Sequence, residues 1–389
     1  MFSFLIAGYS VLTCVAFVSG YVFILKQLYA APHIHEVNAP VPDRFPSLTV
    51  LVPACNEAEK IEPALRSLLR QDYPDLEVVA INDRSDDGTG NIIDRLSQEF
   101  DRLRTVHIDH LPGNWLGKTH ALKVGYEHAD GKWILLTDAD VCYETGALRS
   151  LLAVALHEGL DQMSCFPAVQ TNGFLHEVAF DGWIAAAVGA QNLAGVRDPE
   201  SDEYFALGAF NLLRRQVFDQ TEGFSWLRME IADDMGTAKM MHDHGARQGF
   251  YFAFADLSLE WYGSFTAMMD GLEKNGVAVL AHYNYLRGFA IPLLWAILFF
   301  GPIVGLFSAV AGVQILSAGT LLASIPANVL AARRLDRSPF PFCFSTIGIG
   351  FPMYALVRST YACAKRGGVA WRGTTYPVEK LREFQRVKF

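Results

Sequence analysis

In "KWILLTDADVCYE" (residues 132–144) a wholly apolar run gives way to two carboxylates, Asp138 and Asp140, one residue apart. In an extended segment side chains at i and i+2 share a face, so both acids point one way and Ala139 the other. Two convergent carboxylates repel each other unless a cation lies near them. Magnesium or manganese, held by one or two carboxylates with phosphate oxygens completing the shell, suits that arrangement. An isolated Asp-x-Asp is more often a solvated turn; here other acids sit at comparable places. Asn82 and Asp83 end a second apolar run, "LEVVAIND" (76–83). Lys118 follows Gly117 where a helix is expected to begin. Backbone N–H groups and the helix dipole favour anions there, and the ammonium adds a point charge. A solvated surface lysine is the plainer alternative.

Such residues act together only if a scaffold gathers them. From about residue 46 to 260 the chain alternates strand-like and helix-like segments. "SLTVLVP" (47–53), "LEVVAIND" (76–83), "RTVHI" (104–108) and "KWILLTD" (132–138) read as strands. Residues 56–71, 88–100 and 117–129 read as helices, the first with Asn56 as cap and Glu59 completing a capping box. Strand–helix alternation predicts an α/β domain with a mainly parallel sheet covered on both faces. Ligands of such sheets bind beyond the carboxyl ends of the strands, where these acids fall.

The flanks are apolar. Residues 3–25 carry no charge and are long enough to span a bilayer once. Lys26 and Arg44 put the downstream side in the cytoplasm. Residues 288–332 are too long for one span, so a helical hairpin is expected, with a turn near Gln314, Ser317 and Gly319. A third block, 340–357, is interrupted by Pro341, Gly348, Gly350 and Pro352 and reads as a re-entrant or interfacial segment, an ordinary span being the alternative. The basic end of the chain, with Arg358, Lys365, Arg366 and Arg372 among its cations, reads as a membrane-surface element. The net charge of −9 gives no reason to expect nucleic acid. None of the six cysteines forms a CxxC pair, and they are expected to be reduced. These signals divide the chain into an anchor (1–28), a soluble domain (46–270) and a membrane region with a basic cytoplasmic tail (285–389) of a multi-pass inner-membrane protein.

Taken together, these stretches resemble the family 2 glycosyltransferases of GT-A fold. "VLVPACNEAEKI" resembles the family's first strand and P-x-x-N-E turn, "AINDRSDDGTGNII" its acidic nucleotide-contacting stretch, "LPGNWLGKTHAL" its G-K-x-x-A-L helix start, "TDAD" its D-x-D metal site and "EIADDMGTAKMMHDHG" the helix bearing its catalytic base. The resemblance implies donor-binding roles for Pro53, Asn56, Glu57, Asp83, Lys118 and Asp138. It makes Asp140 a metal ligand with Asp138, and Asp234 the base of an inverting transfer. Asn82 stands where the family has an Asp, and Asp233 where it has a Glu. Asp233 is expected to point about 100° away from its neighbour, by helix geometry. No Q-x-x-R-W or R-x-x-R-W follows the base. "GLEKNGVAVLAHY" (271–283) occupies that slot and, with "GGVAWRGTTYP" (367–377), is similar to a lipid-directed subgroup that includes chlorobactene glucosyltransferase and the hopanoid-associated glycosyltransferases.

The expected activity is transfer of a hexose from a nucleotide sugar, UDP-glucose first among donors, with a divalent cation. The acceptor is the hydroxyl of a carotenoid-, hopanoid-, sterol- or ceramide-like membrane lipid. A polysaccharide synthase is the rival enzyme, and a non-catalytic membrane scaffold the rival class. "FLHEVAFDGWIAAAVGAQNLAGV" (174–196) reads equally as an interfacial segment admitting lipid or as a core helix.

Overall fold

A computed structural model describes residues 2–388. The chain opens with α1 (Phe2–Ala30). One stripe of this helix, including Phe17, Tyr21, Ile24 and Leu28, is buried against the protein, while Val11, Leu12, Val15, Val18 and Val22 stay exposed. A helix apolar on its outer face as well as its inner one matches a lipid environment rather than water.

The middle of the chain forms β1 (Leu48–Ala54), α2 (Ile61–Leu69), β2 (Leu76–Asp83), α3 (Thr89–Glu99), β3 (Leu103–Ile108), α4 (Gly117–Tyr126), β4 (Trp133–Leu136) and the short β5 (Cys142–Tyr143). There follow α5 (Ala147–His157), β6 (Gln162–Phe166), β7 (Ala168–Gln170), α6 (Phe174–Gly189), β8 (Asn211–Arg214), α7 (Arg215–Phe218), α8 (Asp233–Asp243), β9 (Gln248–Phe252) and β10 (Leu257–Glu260). Seven strands make one sheet in the order β3-β2-β1-β4-β8-β6-β9. β1 runs parallel to β2 and to β4, with Leu48 opposite Leu76 and Trp133; β8 is antiparallel to both β4 and β6. Side chains alternate across the pleat. Val50 and Val52 pack with Leu65 and Leu68 of α2, and Leu51 packs with Ala121 and Leu122 of α4 on the opposite face. This is the two-face coverage that a continuous apolar strand implies.

Two local expectations change. α2 begins at Ile61, not at Asn56, whose left-handed backbone (φ 56°) instead turns the chain after β1. β4 stops at Leu136, so Asp138 and Asp140 are carried by a turn and not by extended strand.

Beyond the sheet come α9 (Phe265–Asn275), a π-helical turn at Gly276–Leu280, α10 (Tyr285–Phe299), α11 (Gly301–Gly305) and α12 (Ala311–Arg334). The chain reverses at residues 306–310, earlier than expected, and Gln314, Ser317 and Gly319 lie inside α12. Ser317 is a helix-contact residue: a Cβ on Gly305 would strike its Oγ. Block 340–357 is not one helix. It is divided into α13 (Pro339–Phe342), α14 (Ser345–Gly348) and the start of α15 (Gly350–Arg366). α14 crosses α6 so closely that a Cβ on Gly182 would meet the backbone of Gly348, and α15 packs on α6, α9 and α10. A hairpin, β11 (Gly368–Trp371) and β12 (Thr374–Pro377), then leads through α16 (Val378–Glu383) back onto the sheet domain. Among the described residues two helices, Ile6–Ala30 and Ala311–Arg334, are long and apolar enough to cross a membrane.

The basic end of the chain is not mainly a free surface. Arg358 pairs with Asp270 and Glu273, Arg366 with Glu273, Arg372 with Glu57, Arg334 with Glu36 and Arg337 with Asp181.

Candidate active site

A cavity of about 850 Å³ opens beyond the carboxyl ends of β1, β2 and β4. Pro53, Glu57, Asp83, Lys118, Asp138 and Asp140 all line it. Asp83 is buried at the end of β2. Arg84, in a left-handed conformation (φ 56°), folds back to donate to both its oxygens at 2.7 and 2.9 Å. The first turn of α4 lies against the same carboxylate, and a Cβ on Gly117 would collide with Asp83 Oδ2. That close approach brings the next residue, Lys118, into the cavity. Its Nζ is 2.8 Å from Asp138 Oδ1 and 3.2 Å from Asp233 Oδ2. Burial works against its charge, but Asp138, Asp233 and Asp234 outweigh it and hold the ammonium above its ordinary pKa.

Asn56 is the exception among the expected donor residues. It does not line the cavity. Its backbone N–H donates to Ser85 Oγ (3.0 Å) and its Oδ1 accepts from Asp86 N–H (2.9 Å), tying the loop after β1 to the loop after β2. Asn82 likewise turns away, toward His107 Nδ1 at 3.0 Å.

Asp138 and Asp140 converge on the cavity despite the turn between them. Burial, then the charge of Asp138, pushes the Asp140 carboxyl up to about 6, against the pull of Lys60 at 3.7 Å. A carboxyl strained in this way gains from a bound cation. The pair fits a magnesium- or manganese-type ion that takes its remaining ligands from substrate oxygens. Among the described residues no group of three or more His, Cys, Asp or Glu side chains could hold an ion unaided.

A second, largely apolar cavity of about 390 Å³ adjoins the first, sharing Lys118, Asp138, Trp261 and Tyr262 with it. Asp233 and Asp234 stand on its wall; its other walls come from α6, the π-helical turn, α10 and α15, including Ala187, Val279, Trp295 and Leu356. Asp234 Oδ2 accepts the N–H of Gly208 (3.0 Å), and Oδ1 that of Met235 (2.8 Å). Burial first, then Asp233, pushes its carboxyl up to about 6, with Lys118 opposing. Gly208 is confined here as well: a Cβ would come within 3.0 Å of Asp138 Oδ2 and of Lys118 Nζ. Asp233 does not point away as expected. In the first turn of α8 both acids face the site, and Lys118 lies against Asp233. The segment 174–189 is chiefly a core helix, buried from Val178 to Gly182, although Phe174 and Leu175 at its start are exposed.

Lys60, Arg84 and Arg372 line the first cavity without having been singled out for it. For Arg372 a signal existed: "VAWRGTTY" alternates around an Arg-Gly turn, a hairpin pattern, and the hairpin folds onto the cavity.

A sequence profile described as "Glycosyl transferase family 2" matches residues 49–236. A probable glycosyltransferase, YdaM, from Bacillus subtilis (strain 168) is 36% identical over 110 residues, 28% of this chain and 26% of the relative. The 4,4'-diaponeurosporenoate glycosyltransferase of Staphylococcus aureus (strain USA300) is 34% identical over 232 residues, 59% of this chain and 60% of the relative. The matched stretches thus span less than two thirds of either curated relative. Among solved structures, a mannosyltransferase from Pyrobaculum calidifontis in complex with GDP-Man and Mn2+ superposes with a TM-score of 0.56 at 19% identity, covering 92% of this chain and 99% of that one, which is a likeness of fold. Over residues 49–236 the chain therefore carries a glycosyl transferase family 2 domain, built on the GT-A fold.

Proposed function

We propose that this protein is a membrane-anchored inverting glycosyltransferase that moves a hexose, from UDP-glucose or a related nucleotide sugar, to the hydroxyl of an apolar membrane lipid of carotenoid, hopanoid, sterol or ceramide type. The observation that carries the reading is the junction of the two cavities. An acid-lined polar chamber meets an apolar one at Lys118 and Asp138, and Asp234 stands on the apolar side of the junction. A water-insoluble acceptor fits the apolar chamber, whose walls include α15 and α10, the latter packed on the apolar helix α1. The Staphylococcus aureus relative is named for diaponeurosporenoate as its acceptor, which supports a carotenoid-type acceptor, though its name points to a carboxylate and not to a hydroxyl.

The residues divide the work as follows. Asp83 contacts the nucleoside, with Gly117 keeping the cavity open against it. Asp138 and Asp140 would hold a divalent cation, which would supply positive charge to neutralise the leaving diphosphate. Lys118 offers a fixed positive charge to the same oxygens and returns to Asp138 and Asp233 when they leave. Asp234 takes the proton of the acceptor hydroxyl as its oxygen attacks the anomeric carbon from the face opposite the diphosphate. One base without an enzymic nucleophile gives a single displacement, so an α-linked donor yields a β-linked product.

The test is to incubate membranes holding the protein with a panel of labelled nucleotide sugars and follow label into extracted lipid. Label in solvent-extractable lipid is expected. Label only in water-soluble polymer would favour a polysaccharide synthase, and bound donor without any transfer a scaffold.

A further inference from the structure

We propose that the last residues of the chain, clasped by the carboxylate of Glu230, fix the loop that presents Asp233 and Asp234, making the C-terminal tail a positioning part of the active site. The inference rests on the transfer reaction proposed above. Glu230 is 3% exposed and lies three residues before Asp233. Its Oε2 accepts the backbone N–H of Arg386 at 2.6 Å and of Val387 at 3.1 Å; its Oε1 accepts that of Ala232, the residue before α8, at 3.1 Å. A buried carboxylate persists only where such donors meet it, and two of these three come from the far end of the chain.

The tail is held on both sides. Val387 is buried. The Arg386 guanidinium lies 5.1 Å over the Trp226 ring, and that of Arg228 lies 4.2 Å over Phe384. The same loop grips the donor side. The Arg228 carbonyl accepts from Leu116 N–H (2.7 Å) and from Thr119 Oγ1 (3.2 Å), the residues flanking Gly117 and Lys118. Residues 226–232 therefore join three things: the tail, the start of α4 with Lys118, and the start of α8 with Asp234. If the tail lets go, the donor cavity keeps its walls, but the loop between Lys118 and Asp234 loses two of the donors that fix it.

The test compares the full chain with a chain ending at Gln385, and Val387→Pro with Val387→Ala; proline removes the N–H and alanine keeps it. Without the clasp kcat should fall by about tenfold or more, as expected when a reacting group is misplaced by an ångström or so, while the donor KM holds. Val387→Ala should retain most of its turnover. Amides of residues 229–236 should exchange hydrogen faster in the truncated chain and in Val387→Pro. Unchanged exchange there, or a raised KM with kcat intact, would overturn the proposal. Should the full chain transfer no sugar, the functional reading fails, and hydrogen exchange alone decides the clasp.

Discussion

Asp234 is a carboxylate placed where it is reluctant to ionise. Burial and Asp233 raise its pKa to about 6 from an ordinary 3.8, so a base exists in quantity only above that pH. Transfer should decline as pH falls through about 6, and Asp234→Asn should lower kcat by about 10²- to 10⁴-fold and remove that limb. Asp140 titrates in the same range, but a bound cation pulls it down, so the limb persisting at saturating cation belongs to Asp234. The same shift bears on stability with a definite sign. A folded-state pKa above the unfolded value favours the fold below about pH 4, and that contribution is lost as pH rises through about 6. Asp234→Asn should therefore gain more in Tm, relative to the parent, at pH 8 than at pH 5, measured by thermal scans at both.

The elements that position these side chains depend on missing Cβ atoms at two crossings. Gly117 lets α4 approach Asp83, and Gly117→Ala should raise the donor KM, read by titrating the nucleotide sugar, since methyl and carboxylate cannot share that space. Gly182 lets α6 meet α14, and Gly182→Ala should cost about 1–3 kcal/mol in stability, read by denaturation, with no special effect on donor KM. Much of this level was legible in the sequence. Apolar runs punctuated by Gly, Pro and acids located β1 to β4 and the helices between them, because each pattern is local. Asp83, Lys118, Asp138 and Asp140 could be placed in one cavity because strand ends of a parallel sheet share an edge. Asp233 could not, because an ideal helical wheel says little about a first turn whose side chains fan toward a neighbouring lysine. The reversal at 306–310 was also hidden, since Ser317 marks a helix contact and a turn equally well. The return of the tail rests on distant partners, Arg372 with Glu57 and Glu230 with Arg386, which leave no local period to read.

At the scale of the whole molecule, a sheet domain and an apolar bundle share a boundary, and the second cavity lies on it. Ala187→Trp, on the α6 wall of that cavity, should raise the KM for a lipid acceptor and leave nucleotide-sugar binding unchanged, because the donor chamber lies beyond Lys118. Residues 386 and 387 pack on the sheet domain, so a reporter fused after Phe389 should register on the same side of the membrane as residues 46–270. The proposed transfer requires two chambers meeting at Lys118 with Asp234 at their boundary. The most direct measurement is an experimental structure with a non-transferable UDP-glucose analogue and a divalent cation. It should place the diphosphate among Asp140, Asp138 and Lys118, with the anomeric carbon open toward Asp234 and the apolar cavity. A diphosphate bound elsewhere, or a sugar walled off from Asp234, would contradict it.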